Sequence, residues 1–160
     1  MFIGIDPGLQ GAVAVLAPDG TLQALHDTPT LKLLTRRGVR QEYDIPGLVG
    51  LLAPYRGSQG HVIIEEAQPM PGQGVRSMFT CGLGMGVWLG ILAALALPHT
   101  RIRPQVWKKA LGLSKDKEAA RLRAQQLFPT ADLRRKKDHG RAEALLLARY
   151  GLGGYAENEG

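Results

Sequence analysis

Two short β-branched runs open the chain. Residues 2–6 (FIGID) and 11–17 (GAVAVLA) are apolar and of strand length, and Pro7-Gly8 stands between them. Pro18-Asp19-Gly20 signals a second turn, so residues 21–25 are expected to return antiparallel as the third strand of a meander. Residues 28–43 are mixed and polar, with Arg36, Arg37, Gly38 and Arg40 at their centre, and read as an extended loop or a hairpin. Asp44 is placed to cap a short helix that has Pro46 in its first turn and Leu48, Val49, Leu51 and Leu52 along it. His61-Val62-Ile63-Ile64-Glu65 has the length and apolarity of a buried strand.

Residues 67–75 (AQPMPGQGV) form a loop by their Pro and Gly content. Residues 77–100 carry no formally charged side chain, a length that would suit a membrane span. Gly82, Gly84, Gly86 and Gly90 weaken a lone helix, however, and Pro98-His99 ends the segment early. The expectation is no membrane insertion but a buried helix packed on a sheet. Gly82, Gly86 and Gly90 share one face of it, where another backbone can approach closely at a dimer contact. Residues 101–103 read as a short strand and residues 104–111 as a short helix holding Trp107, Lys108 and Lys109. Ser114 is expected to cap a helix through residue 128, and the last helix starts near Asp138 with Ala142, Leu145, Leu146 and Ala148 on its apolar side. Without an internal repeat or linker, the pattern gives one domain over residues 1–152 and a polar tail over 153–160.

Composition adds limits. At 160 residues, 44% hydrophobic and 21% charged, the chain is long and apolar enough to bury its own core. Cys81 is the single cysteine, which excludes a disulfide-stapled scaffold and a Cys-based zinc site and points to a reducing, cytoplasmic setting. It reads as a small core residue. The first residues have no basic region, and Asp6 interrupts any signal-peptide core. The formal net charge is +6, but residues 101–137 alone carry 12 Lys/Arg against 3 Asp/Glu, or +9. Such local basicity is the footprint of a phosphate backbone or, more plainly, a solvated helical face.

Acidic residues then stand out by position. Asp6 closes one apolar strand and Glu65 another, with Glu66 directly after it. A carboxylate at the end of a buried strand is costly unless it is paired, protonated or bound to a metal. Asp138, His139 and Glu143 form a third cluster at a helix start, where His139 and Glu143 share a face. Oxygen ligands with one imidazole suit Mg²⁺ or Mn²⁺, and two such ions activate a water and stabilise the leaving oxygen of a phosphodiester displacement. Each residue also has an ordinary role open to it: Asp6 as a turn former, Glu66 on the surface, Asp138 as an N-cap, and His139 as a satisfied histidine.

FIGIDPGLQGAVAV, VIIEEAQPMPGQG and KKDHGRAEALLLA, taken in order, resemble the RuvC-type Holliday junction resolvases, in particular their compact phage and prophage members. The Gly-rich segment 79–90 and RPQVWKKALGLSKDKEAAR extend the likeness over essentially the whole chain. The resemblance implies an α/β, RNase H-like fold, with a five-stranded mixed sheet whose first three strands are antiparallel, flanked by helices. It also implies a homodimer in the bacterial or phage-infected host cytoplasm, with two Mg²⁺ or Mn²⁺ ions per active site and no nucleotide cofactor. Its reaction would be paired symmetric nicking of a four-way DNA junction, leaving 5′-phosphate and 3′-hydroxyl ends. By position, Asp6, Glu65 and Glu143 match three of the family's catalytic and metal-binding acids.

The fourth acid is commonly three residues before the last, and here that position is Gly140. His139, on the face of Glu143, is the favoured substitute and Asp138 the other candidate. The likeness also implies that Lys115 and Lys117 face the scissile phosphate and that Trp107, Lys108 and Lys109 support or contact the DNA backbone. Arg121, Arg76 and Gln73 would be further DNA contacts, Gln73 from a loop that probes the junction centre. Two other readings stay open: an RNase H-like nuclease acting on RNA/DNA hybrids or nicking single strands, and a non-catalytic junction-binding module.

Overall fold

The computed structural model describes the chain except residues 37, 69–71, 115, 136 and 155–160. Strands β1 (Phe2–Asp6), β2 (Ala12–Leu16) and β3 (Leu22–Asp27) form the expected antiparallel meander. A separate hairpin, β4 (Thr30–Thr35) and β5 (Gly38–Tyr43), follows and leads into helix α1 (Ile45–Leu52), capped by Asp44, whose Oδ1 accepts the Gly47 N–H at 3.1 Å. Then come β6 (His61–Glu65), α2 (Val75–Ala94), β7 (His99–Ile102), α3 (Pro104–Ala110), α4 (Lys117–Leu127) and α5 (His139–Leu152). The main sheet runs β3-β2-β1-β6-β7, with β6 parallel to both β1 and β7. It is the expected five-stranded mixed sheet.

Strand alternation decides what each face buries. Ile3, Ile5, Val13, Val15, Val62 and Ile64 pack against Leu48 and Leu52 of α1 and Trp88, Ile91 and Leu92 of α2. Ala12, Ala14, Leu16 and Ile63 face the other way, onto the apolar stripe of α5 and the inner sides of α3 and α4. Helices therefore cover both faces, which is why β2 is buried along its whole length and reads as a continuous apolar run.

The structure corrects three expectations. Helix α2 is buried along one stripe (Gly84, Trp88, Ile91, Leu92) and not all round. Within one chain nothing lies within 4 Å of a Cβ at Gly82, Gly86 or Gly90, and the intrachain close approach is at Gly84, where the ring end of Tyr43 fills the place a Cβ would take. By length and composition α2 would also suit a membrane span, yet Trp88 is fully buried against the sheet and donates its Nε1–H to the Pro7 carbonyl at 3.2 Å. Cys81, on the open side, is exposed and does not belong to the core. Finally, the cap of α4 is Asp116, which accepts the Glu118 N–H at 2.9 Å, while Ser114, two residues earlier, accepts the Asp116 N–H.

The tightest packing lies between α5 and β1. A Cβ on Gly4 would overlap the Ala144 carbonyl and the Ala148 N–H of α5. Neither is a side chain able to move aside, so Gly4→Ala must push the helix off the sheet. It is expected to cost about 3 kcal/mol, lowering Tm by roughly 6–12 °C in thermal denaturation. Ala substitution at Gly50, exposed in α1 with nothing within 4 Å of a Cβ, is the control and leaves Tm unchanged or higher.

Candidate active site

Parallel pairing of β1 with β6 sets Ile5 beside Ile64, so Asp6 and Glu65 end neighbouring strands and point to the same face. That is the α5 face, and Glu143 reaches the same point from the helix. All three line a cleft of about 330 Å³, together with His139, Lys117 and Lys137. The cleft opens at the carboxyl ends of the parallel strands, where open α/β sheets place their ligands.

Each carboxylate is held. Asp6 accepts the Gly8 N–H at 3.1 Å, and the Pro7 carbonyl after it takes hydrogen bonds from Tyr43 Oη (3.0 Å) and Trp88 Nε1 (3.2 Å). Glu65 Oε2 accepts from Trp107 Nε1 at 2.8 Å, and Glu143 Oε1 from Lys108 Nζ at 2.7 Å. Burial raises Asp6 from 3.8 to about 6, with Glu143 adding to the effect and the Gly8 N–H, Lys117 and Lys108 opposing it. Glu65 rises from 4.5 to about 7, again chiefly by burial and then by Glu143, with the Trp107 hydrogen bond working against them. Glu66 points away from this cluster and pairs with Arg103 at 3.3 Å.

The two candidates for the fourth ligand part company. Asp138 is fully buried, but its carboxylate turns to Arg135, accepting the backbone N–H at 2.8 Å and the guanidinium at 2.7 Å. Burial would raise its pKa, yet these bonds leave it below the ordinary value. Asp138 does not line the cleft and, although it occupies the N-cap position of α5, makes no side-chain cap there. The adjacent residue enters instead: His139 lines the cleft, and its Nδ1 is buried without a hydrogen-bond partner among the described residues.

Basic residues fall into distinct groups. Lys117, which the resemblance singles out, is exposed at the cleft mouth, and Lys137, which it does not, joins it there. Its place in the run Arg134–Lys137 was visible, but nothing singled it out. Lys108 does not face outward for a phosphate; it is committed to Glu143. Arg121 is likewise internal, tying Glu118 to the Leu133 carbonyl at 2.6 Å. Lys109 is exposed, while Arg76 (beside Arg36 and Arg40) and Gln73 (bonded to Ser77) lie outside the cleft lining. Lys115 falls outside the described residues.

No family model matches the sequence. Over a stretch that spans 56% of this chain it is 38% identical to the chloroplastic Holliday junction resolvase MOC1 of Chlamydomonas reinhardtii, but that stretch is 11% of the relative's length. The relative's chloroplast address differs from the cytoplasmic one expected from composition. Among solved structures, Thermus thermophilus RuvC in complex with a Holliday junction substrate superposes with a TM-score of 0.66 at 17% identity, covering 96% of this chain and 94% of that one. A second Thermus thermophilus RuvC structure gives 0.61 at 19% identity, covering 96% and 95%. The chain has the RuvC fold.

Within that RuvC-like, RNase H-like frame, the glycine at position 140 has a steric cause. A Cβ on Gly140 would overlap the Gln10 carbonyl and stand 3.1 Å from Asp6 Oδ2, because the start of α5 lies directly on the loop after β1. No side chain fits there, and the imidazole one residue earlier reaches the cleft instead.

The donor set, three carboxylates and an unpartnered imidazole nitrogen, fits Mg²⁺ or Mn²⁺. Among the described residues, however, no three of these groups stand close enough to hold an ion as they are. The carboxylates are drawn to Gly8, Trp107 and Lys108. The raised Asp6 and Glu65 set a pH dependence. Folding favours their protonated forms, so the stability they contribute is complete at acid pH and is lost as pH rises through about 6 and 7. Asp6→Asn, which keeps the acceptor for Gly8, is therefore expected to raise the metal-free Tm above pH 7 and to flatten its fall between pH 4 and 6. Thermal melts in EDTA across this range test it; an Asn variant that melts lower than wild type at pH 8 would refute it.

Proposed function

We propose that this protein is a metal-dependent, structure-selective endonuclease that resolves four-way DNA junctions by paired symmetric nicks. The observation that carries the proposal is the meeting of Asp6, Glu65, Glu143 and His139 in one cleft with Lys117 and Lys137 at its mouth. Its support is the likeness of that frame to RuvC and of part of the sequence to a Holliday junction resolvase. Asp6, Glu65, Glu143 and His139 would hold two Mg²⁺ or Mn²⁺ ions. When bound, the ions supply an activated water and neutralise charge on the leaving oxygen.

The protein's own part is positional. Lys117 and Lys137 draw the scissile phosphate to the cleft, where basic groups place the backbone without reading bases. The Pro7 carbonyl, held by Tyr43 and Trp88, fixes the loop around Asp6, and Trp107 fixes Glu65. Lys109, Arg76 and Gln73 would meet DNA outside the cleft.

Two symmetric nicks need two sites, and we assign the second to another copy of the chain. Val75, Met78, Phe79 and Leu83 leave 80%, 38%, 68% and 50% of their surfaces exposed on the open side of α2. Such a run of large apolar groups marks an interface. Sedimentation is expected to give a dimer, and Phe79→Asp a monomer with native circular dichroism; a monomeric wild type would overturn the assignment.

For the activity, a labelled four-way junction, a linear duplex and an RNA/DNA hybrid would be incubated with Mg²⁺, Mn²⁺ or EDTA. Metal-dependent paired nicks confined to the junction are expected. Glu65→Gln should abolish them while leaving junction binding within about threefold, because a carboxylate in the cleft repels phosphate and its loss removes no DNA contact. Cutting of the hybrid instead would keep the metal site and discard the substrate. Junction binding without cutting by the wild type would discard the enzyme.

A further inference from the structure

Glu143 sits on the inner side of α5 with 11% of its side chain exposed, and the Lys108 ammonium that meets it is 14% exposed. Lys108 is thus nearly buried beside three carboxylates, in a place where a lone cation would not be left unpaired. Its influence extends past its partner: Lys108 lowers Asp6 and Glu65, whereas Glu143 raises both. The ammonium has a second partner in the same position, since Nζ also stands 5.0 Å from the centroid of the Trp107 ring. Trp107 in turn donates to one oxygen of Glu65, so two neighbouring residues of α3 hold both glutamates.

We propose that Lys108 keeps the place of a cation in this site: it neutralises and orients Glu143 in the metal-free protein, and a divalent ion competes with it for that carboxylate. The proposal rests on the metal-dependent reading above. It accounts for three acids converging without standing at ligand spacing, because Lys108 holds one of them and Trp107 another. On release from Glu143 the ammonium stays over the Trp107 face. Trp107 itself is no competitor, since a neutral N–H occupies one oxygen of Glu65 and leaves the other open.

The probe is Mn²⁺ alone, titrated calorimetrically into the DNA-free protein. Lys108→Met removes the charge and retains most of the side-chain volume. It is expected to bind Mn²⁺ about tenfold more tightly than wild type and to melt lower without metal, while Lys108→Arg stays within about threefold of wild type. Equal or weaker binding by Lys108→Met would overturn the proposal. A second measurement needs no variant. Acetic anhydride labelling read by mass spectrometry should show Lys108 protected relative to exposed Lys109 without metal, and more reactive once Mn²⁺ is added. Unchanged or lower reactivity would overturn it as well. A wild type that binds no Mn²⁺ removes the metal-dependent function and this proposal together; tight wild-type binding that Lys108→Met leaves unaltered removes the proposal alone.

Discussion

The contact on which the whole site depends is the close seating of α5 on β1 and on the loop that follows it, made possible where two glycines leave room for backbone. Gly4 lies under Ala144 and Ala148, and Gly140 lies on Gln10 and Gly11. With the helix fixed at both points, the position of Glu143, three residues after Gly140, follows from helical geometry. So does that of His139, one turn before Glu143 on the same face. A helix raised by the width of a methyl group would carry both away from Asp6. The packing of the core and the geometry of the site are therefore one constraint, and Gly140 is part of it.

Bringing three carboxylates together under an apolar sheet opposes folding, because each is partly desolvated and each repels the others. The structure offsets this with local donors: the Gly8 N–H for Asp6, the Trp107 indole for Glu65 and the Lys108 ammonium for Glu143. They do not cancel it, as the raised pKa values of Asp6 and Glu65 show. What is left is an unmet demand for positive charge, kept inside an otherwise well-packed frame. A site of this kind is poorly stable by itself and well suited to take up cations, a trade made at many functional sites.

Much of this was legible in the chain itself. β1, β2 and β6 stood out because strands covered on both faces are continuous apolar runs, and Asp6 and Glu65 stood out because they end such runs. Their adjacency was not legible from periodicity alone. It depends on β6 pairing parallel to β1 across 59 residues of sequence, and the family resemblance, not the pattern, supplied it. Asp138 and His139 illustrate a different limit. They are neighbours, and capping preference favours Asp138 for the helix start, but which of two adjacent side chains turns inward is decided by where Arg135 lies in space. The outer face of α2 shows a related limit. An apolar glycine-containing stretch looks the same in sequence whichever of its small residues is packed, and within the chain Gly84 alone of the four is, against the Tyr43 side chain.

Counting charges was the least faithful guide, and the reason bears on how the protein would meet DNA. The segment 101–137 carries 12 basic residues, but the fold uses several of them internally. Lys108 neutralises Glu143, Arg121 ties α4 to the segment before α5, Arg103 pairs with Glu66, and Arg135 holds Asp138 in place. Arg134 is paired with Asp132. Lys117 and Lys137 remain at the cleft, and Lys109, Arg101 and Arg123 are exposed outside its lining, so the positive charge open to a partner is less than the count of basic residues suggests. Under the proposed function, Lys117 and Lys137 beside an acidic cleft would favour a backbone that can bend into it, so that shape would contribute to selection alongside sequence-independent affinity.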